Sequence, residues 1–237
     1  MTPVLYPLRS VESAVVRHTR LPHLRRRITI DHHRLASVTP AMLLDWFTHI
    51  GGTMRYGDDV IPRYLAWHPI DHIRWDLARP APGGGAAEGA RFRIVEQFRG
   101  IDEDRTYPVD VVDRVEKLDE TGIRLVTRLA GVVVFQLEHT WSAGAEGAHY
   151  VSVLDIGARS ALATPVNWAL TRRFPDAMAH AWVRHNIEEV GQLQYLLPGL
   201  ADGHRDQATC ATIDGAGAVS AAGRGWLDPE PARFRPD

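Results

Sequence analysis

The chain has 237 residues, with 27 basic and 29 acidic side chains and a formal net charge of −2. This balance excludes the strongly basic composition of proteins that bind nucleic acids or anionic membrane surfaces. No apolar run approaches the ~18 residues of a membrane-spanning helix, and no secretory leader is recognisable. The single cysteine, Cys210, excludes an internal disulfide and Cys-based zinc ribbons. We therefore expect a cytoplasmic protein whose partner is a small molecule, not a nucleic acid or a membrane.

The first 60 residues are expected to pack on a main domain. Residues 1–24 lack a clear period and predict a surface segment, whereas Arg27 to Ile30 predicts a short strand. Thr39 and Pro40 predict the N-cap and the first position of a helix. The buried face of this helix is expected to hold Met42, Leu43, Trp46 and Phe47.

Period-two alternation predicts a strand at residues 91–98. The alternation turns Glu96 toward the same side as three apolar residues. A carboxylate is thereby placed on a face that is expected to be buried. The apolar members of that face are Phe92, Ile94 and Phe98.

Three further segments have strand character, namely residues 107–117, 123–139 and 148–156, with Thr121-Gly122 as a turn signal between the first two. In the second segment the alternation places His139 on the inward face. The other members of that face are Val133, Phe135 and Leu137.

The C-terminal part is helical, with starts at Pro165 and Pro175 and an end at Pro198. On the second helix, His185 and Glu189 lie one turn apart on one face. Burying an ionised carboxylate is costly unless it is paired or bound to a metal, and imidazole nitrogen and carboxylate oxygen both ligate zinc. The alternative is a buried His–Glu hydrogen bond or a partly exposed face. The same face carries Met178, Trp182, Leu193 and Leu196.

Antiparallel strands followed by one long helix predict an α+β fold. In it, a curved antiparallel sheet wraps around the C-terminal helix, which is the helix-grip or Bet v 1-like arrangement, after a small N-terminal helical segment. Residues 61–202 are expected to form this catalytic domain, and residues 203–237, rich in Ala, Gly and Asp, a tail. Such a sheet encloses a cavity. A buried Glu or His taken singly is usually a paired structural residue, but four such groups on one interior indicate a functional site.

Five segments carry a resemblance to a known family: Val38–Trp46, Trp67–His72, the strand ending at Glu96, Leu137–His139 and His185–Glu189. They resemble the family of 2,4-diacetylphloroglucinol hydrolase and phloretin hydrolase. These enzymes are zinc-dependent and cleave the carbon–carbon bond between an acyl group and a phenolic ring. The resemblance covers most of the chain and implies a helix-grip catalytic domain.

The resemblance also implies a set of zinc ligands. His185 and Glu189 match the family's helical His-x-x-x-Glu, and Glu96 matches its strand carboxylate. His72 matches the remaining histidine, because the family places a pocket tyrosine eight residues before it, where Tyr64 stands.

Two of these matches have rivals. His68 competes with His72 as the first ligand. The gap from His72 to Glu96 is shorter than in the family, and Glu103 restores the usual spacing, although it lies in an acidic segment typical of a solvated turn. Missing residues in the loop around 83–85 would account for the deficit if Glu96 is the ligand.

The pocket residues are matched more loosely. His139 corresponds to a family pocket histidine, and Tyr150 to a pocket tyrosine. Where the diacetylphloroglucinol enzyme has an amide three residues after the first ligand, this chain has Trp75. The contacts to the phenol, and the substrate with them, are therefore expected to differ.

These expectations describe a zinc-dependent hydrolase acting on an aromatic ketone of the acylated phenol (phloroglucinol-like) type or on a related β-diketone. Tyr64, His139 and Tyr150 are its candidate catalytic residues, the first two binding phenolic oxygens and moving protons. One alternative is a metal-dependent lyase, decarboxylase or cyclase of a natural-product pathway, since fold and metal do not determine chemistry. Another is a non-catalytic small-molecule binder. A homodimer is also compatible with the sequence.

Overall fold

One long helix lies against a curved antiparallel sheet in the computed structural model of the protein, which describes residues 6–56, 59–100 and 105–201. The predicted helix-grip architecture is confirmed. The strands are β1 (Ala14–Leu21), β2 (Arg25–His32), β3 (Leu35–Ala36), β4 (Thr53–Tyr56), β5 (Asp59–Pro62), β6 (His72–Arg79), β7 (Arg91–Arg99), β8 (Thr106–Asp119), β9 (Gly122–Leu129), β10 (Val132–Gly144) and β11 (Gly147–Ile156). The helices are α1 (Pro40–Thr48), α2 (Arg63–Trp67), α3 (Thr164–Arg173) and α4 (Asp176–Ala201).

The main sheet has the strand order β1-β2-β11-β10-β9-β8-β7-β6, with β3 paired to one end of β11. Every pairing in it is antiparallel. The strands β4 and β5 form a separate hairpin. Strands far apart in the sequence, such as β2 and β11, thus become neighbours, and the sheet curves far enough to surround the cavity described below.

The expectation that residues 1–24 form a surface segment is wrong for residues 14–21. These residues form β1, which pairs with β2 along its whole length. No residue of β1 is fully buried, and only Ala14 and Val16 pack partly against the core, so the strand is held mainly by backbone pairing. A strand of this kind has no hydrophobic period to reveal it. Residues 14–36 therefore belong to the main sheet and are not separated from it by a boundary near residue 60.

The single strand expected at residues 123–139 is two strands, β9 and β10. A two-residue turn separates them, with φ of 48° at Ala130 and 81° at Gly131. Positive φ at both central residues is typical of the tight turns that suit the twist of a hairpin. The exposed apolar residues Leu129 and Val132 flank the turn. The run of apolar residues therefore continues across it, and the hydrophobic pattern gives no sign that one strand ends and another begins.

The predicted start of α1 is confirmed. The side chain of Thr39 accepts a hydrogen bond from the backbone N–H of Met42 at 3.3 Å, and Pro40 occupies the first helical position. Leu43, Trp46 and Phe47 are buried as expected. Phe47 of this helix lines the cavity described below.

The helix α4 extends through Pro198 to Ala201, past its predicted end. A proline in the last turn removes only one backbone donor there, so the helix continues for a few residues. The predicted buried face is confirmed. The N-terminal half of this face packs in a cluster with Ile28 and Ile30 of β2, and the C-terminal half packs in a second cluster with Trp46 and Trp67.

Among the described helices, none combines the length and the apolar character needed to cross a membrane. The predicted tail at residues 203–237 lies outside the described residues, and so does Glu103.

The contribution of the helix face can be measured at Leu193, which is fully buried. We expect Leu193→Ala to lower the free energy of unfolding by about 2–5 kcal/mol, because it removes buried apolar surface and leaves a cavity. The control is Leu162→Ala, at a side chain that is 93% exposed, where a change within about 0.5 kcal/mol is expected. Urea denaturation of the two variants makes the comparison, and equal losses would contradict this packing.

Candidate functional site

Four predicted ligand residues meet where α4 crosses the edge of the sheet. His72, at the start of β6, pairs in register with Glu96 of β7, and α4 brings His185 and Glu189 to the same point. His72 Nε2 lies 3.5 Å from Glu96 Oε1 and 3.4 Å from Glu189 Oε2. His185 Nε2 lies 3.8 Å from Glu96 Oε2 and from Glu189 Oε2. Ligand atoms around one tetrahedral zinc ion are about 3.4 Å apart, so this spacing suits a shared ion.

Each histidine has its Nδ1 occupied on the side away from this cluster. His72 Nδ1 lies 2.7 Å from the backbone carbonyl of Tyr64, and His185 Nδ1 lies 3.1 Å from Asp71 Oδ2. Both partners are acceptors, so each Nδ1 carries the proton and donates it. The other nitrogen of each ring, Nε2, then faces the carboxylates. Metal-ligating histidines are oriented in this way by a second hydrogen bond.

The two carboxylates are also oriented by neighbours. The hydroxyl of Tyr64 donates to Glu96 Oε1. The amide of Asn186 donates to Glu189 Oε1 at 2.6 Å, which leaves Oε2 for the cluster. Trp67 Nε1 donates to the backbone carbonyl of Glu189 at 2.8 Å and anchors that turn of α4.

A buried ion network lies behind the cluster. Arg99 donates to Asp71 Oδ1 and to Glu188 Oε2, each at 2.7 Å. His68 Nδ1 accepts from the backbone N–H of Asp71 at 3.2 Å, and His68 Nε2 donates to Glu188 Oε2 at 3.1 Å. Both nitrogens of His68 are therefore engaged in this network. The geometry favours His72 over His68 as a ligand.

The electrostatic environment differs between the two histidines of the cluster. Burial lowers the pKa of His72 well below its usual value, so this ring is neutral. Burial also opposes protonation of His185, but the charge of Glu189 and the hydrogen bond to Asp71 outweigh it and raise the pKa of His185 to about 9. A proton and a metal ion would therefore compete for His185 Nε2. Burial alone would raise the pKa of Asp71, yet the hydrogen bond from His185 and nearby cationic side chains lower it, so Asp71 is ionised.

The donor set is chemically suited to a divalent metal. Three of its members, His72, Glu96 and His185, each offer an atom within 4.8 Å of the others, and Glu189 supplies a second carboxylate. Once a metal ion displaces the proton from His185 Nε2, two imidazole nitrogens and two carboxylates can hold the ion without a large excess of charge.

Three members of the cluster, Glu96, His185 and Glu189, line a cavity of about 460 Å³ between α4 and the sheet, whereas His72 is fully buried and does not line it. This volume is in the range of small-molecule sites, which are mostly apolar with a few convergent polar groups. Tyr64 and His139, the expected pocket residues, line it, and so do Trp67 and Trp182. The aromatic lining is completed by Phe47, Trp75, Phe92, Phe98, Phe135 and Phe174.

Trp75, three residues after His72, forms part of the wall of the cavity. Its ring packs edge-on against Phe92 with centroids 4.9 Å apart. A Cβ at Gly51 would lie 2.2 Å from this ring, so glycine is required there to make room for the tryptophan. The wall of the cavity is consequently apolar at this position.

His139 faces the cavity from β10 and is tied to two buried residues behind it. Its Nδ1 lies 2.9 Å from Ser152 Oγ, which also lies 2.9 Å from His32 Nε2. Burial lowers the pKa of His139 to about 4 and that of His32 to about 3. Tyr150 packs against His139 with ring centroids 5.4 Å apart, but it is not among the residues that line the cavity.

Several residues of the site were missed in the sequence. Asp71 precedes His72 and Asn186 follows His185 in the sequence, and no periodic pattern singles out either residue. Asp113 also lines the cavity and had a recognisable signal, because it continues the inward alternation of Val111 and Val115 on β8.

Comparisons with known proteins do not assign a family. No family model matches the chain, and no curated protein matches it. Among solved structures, protein Ms6760 from Mycobacterium smegmatis is similar at 13% identity and a TM-score of 0.41, over 77% of this chain and 98% of that one. Ara h 8.0201 is similar at 12% identity and a TM-score of 0.40, over 76% and 99%. Human STARD10 is similar at 10% identity and a TM-score of 0.35, over 84% and 82%. Likenesses at this level assign no activity.

The role of Asp71 can be tested through metal affinity. We expect Asp71→Ala to weaken zinc binding by about 10–100-fold, because the carboxylate orients His185. Asp71→Asn keeps an acceptor for His185 Nδ1 and is expected to lose less. Competition with a chromogenic chelator measures the affinity, with thermal unfolding recorded in parallel. Asp110→Asn, at an exposed ion pair with Arg93, is the control. Unchanged zinc affinity in a folded Asp71→Ala protein would contradict this role.

A pH dependence of stability follows from the buried pair His139 and His32. Their folded pKa values, about 4 and about 3, lie below the unfolded value near 6.5. Their contribution to stability is therefore fully present above about pH 6.5 and is lost as the pH falls toward 4. We expect His139→Gln and His32→Gln each to lose less stability than the wild type between pH 7.5 and 5. Urea denaturation at the two pH values tests this, with His149→Gln, at an exposed site, as control. Parallel losses in all four proteins would refute it.

Proposed function

We propose that this protein is a zinc-dependent hydrolase that cleaves the carbon–carbon bond between an acyl group and a phenolic ring. The observation that carries the proposal is the convergence of two imidazole Nε2 atoms and two carboxylates at the edge of an aromatic cavity, which three of these four residues line. The resemblance to the acylphloroglucinol hydrolases supports the same ligands and the same reaction class.

The four residues that would hold the zinc ion are His72, Glu96, His185 and Glu189. Zinc bound there would polarise the acyl carbonyl and lower the pKa of a water molecule. In the overall reaction the oxygen of water bonds to the acyl carbon, the bond from that carbon to the ring breaks, and the ring carbon takes up a proton. The products are a carboxylic acid and the deacylated phenol, so atoms and charge balance without an oxidant or a second cofactor.

Two side chains of the cavity are placed to act on the phenolic part of such a substrate. His139 is neutral at pH 7 because burial lowers its pKa to about 4, so it accepts or relays a proton rather than carrying a stable charge. Tyr64 directs its only proton to Glu96. Its oxygen therefore accepts a hydrogen bond from a phenolic hydroxyl, and its role is to orient both the substrate and Glu96.

A second candidate function is the non-catalytic binding of small aromatic molecules. The size of the cavity and its mostly aromatic lining favour this function. It does not require the four donor atoms to converge. Stoichiometric zinc in the purified protein separates the two candidates, since a pure binder has no need of the ion.

The division of labour between ligands and pocket residues is testable by substitution. We expect His185→Ala and Glu189→Ala to lose zinc and turnover together, because each removes one of four donors. We expect His139→Ala to retain zinc while its turnover falls by about 10²–10⁴-fold, as for loss of a general acid or base. Zinc content by elemental analysis and release of carboxylic acid from acylphloroglucinols are measured on the same samples.

The matched control is His149→Ala, at an exposed histidine of β11 that pairs with Asp31. It is expected to retain both zinc and turnover. Loss of zinc from His139→Ala would make His139 a ligand and the proposed set incorrect. A wild-type protein that binds zinc but releases no acid from any acylphloroglucinol would refute the hydrolase and leave the metal centre.

A further inference from the structure

A buried carboxyl group stands apart from the metal cluster in the same cavity. Asp113 of β8 is 9% exposed and lines the cavity. Its Oδ1 accepts a hydrogen bond from Thr127 Oγ1 of β9 at 2.5 Å. Among residues 6–56, 59–100 and 105–201, this is the only hydrogen bond to its carboxyl group, and no cationic side chain pairs with it.

The nearest neighbours of Asp113 on β7 and β8 are apolar. It pairs across the sheet with Phe92 of β7, and Val111 and Val115 flank it on the inward face of β8. Burial raises the pKa of Asp113, as does the charge of Glu96, while the hydrogen bond from Thr127 opposes the rise. A carboxyl with one partner in an apolar cavity is costly unless something else completes its hydrogen bonding.

The position of Asp113 relative to the metal cluster follows from strand register. Glu96 pairs with Val109 of β8, and Asp113 lies two inward-facing positions further along that strand. At about 3.3 Å per residue, this is roughly 13 Å along the strand direction. The wall of the cavity therefore carries two separate polar positions, the metal cluster and the Asp113–Thr127 pair, with Ile94 and Val111 between them.

We propose that Asp113, oriented by Thr127, accepts a hydrogen bond from a ring hydroxyl at the end of the substrate remote from its acyl carbonyl. The proposal rests on the hydrolase function for the direction in which the substrate lies, with its carbonyl at the metal cluster. It narrows the substrate class to aromatic ketones that carry a hydroxyl on the far side of the ring. A substrate whose hydroxyl is capped by a methyl group leaves the carboxyl without its second partner, and such sites discriminate strongly.

The test compares two ligands that differ only at this hydroxyl. Binding of 4-hydroxyacetophenone and 4-methoxyacetophenone is measured by calorimetry on zinc-loaded protein. We expect the wild type to bind the hydroxy ketone about 10–100-fold more tightly, as for a hydrogen bond to a charged group. Asp113→Leu is expected to abolish this preference, and Thr127→Val to reduce it.

Two further variants protect the test against misfolding. Asp113→Asn keeps the shape of the side chain and is expected to show an intermediate preference. Asp119→Asn, at an exposed carboxylate of the same strand that bonds to Thr121, is expected to keep the full preference. Equal binding of the two ketones by the wild type, absence of binding by both, or an unchanged preference in Asp113→Leu would each overturn the proposal. Tighter binding of 4-(aminomethyl)acetophenone than of the hydroxy ketone would also overturn it, because the carboxyl would then serve a cation.

Failure of this proposal is distinguishable from failure of the hydrolase function. A preference for the hydroxy ketone that depends on Asp113, in a protein that takes up no zinc, would leave Asp113 as a recognition group and refute the hydrolase. Zinc-dependent acid release without any preference between the two ketones would refute the role of Asp113 alone.

Discussion

The site depends on the mutual neutralisation of charges that are buried where α4 crosses β6 and β7. Asp71 and Glu188 would each be strongly unfavourable in this setting without a cation. The guanidinium of Arg99 bonds to both of them, at 2.7 Å each, and so joins the sheet to the helix. With that link in place, Asp71 can accept from His185 and direct its other nitrogen into the cavity. The geometry of the cluster is therefore a product of the ion network behind it.

The fold was largely predictable because both of its periodic patterns are strong. The 3.6-residue period of α4 set Met178, Trp182, His185 and Glu189 on one face, and the two-residue period of β7 turned Glu96 inward. Each pattern reports which side of an element is buried, and that is sufficient to bring polar residues of different elements onto one interior. The strand β1 could not be predicted in this way, since its stability comes mainly from backbone pairing with β2 and its side chains are mostly exposed.

The geometry favours His72 over His68 as a metal ligand because of contacts that no local sequence pattern reveals. Both are histidines in one short segment, and both are fully buried. They differ in their partners. His68 bonds to Glu188, which is 120 residues away in sequence, whereas His72 bonds to the backbone of Tyr64 only eight residues away. Hydrogen bonds between residues so distant in the sequence form only when the sheet closes around the helix. The placement of Asp113 on the wall of the cavity likewise depends on that closure.

Glu188 and Glu189 are adjacent in the sequence but serve different surroundings. Consecutive residues of an α-helix point about 100° apart, so Glu188 faces Arg99 while Glu189 faces the cavity. The angular setting of α4 about its own axis decides which carboxylate meets the histidines. Anyone who grafts this centre onto another helix-grip scaffold must therefore reproduce the roll of the helix as well as its sequence. A helix rolled by one residue would bring Glu188 to the position of Glu189 but Arg184 to the position of His185. The copied centre would then lose an imidazole donor while every transplanted side chain was still present.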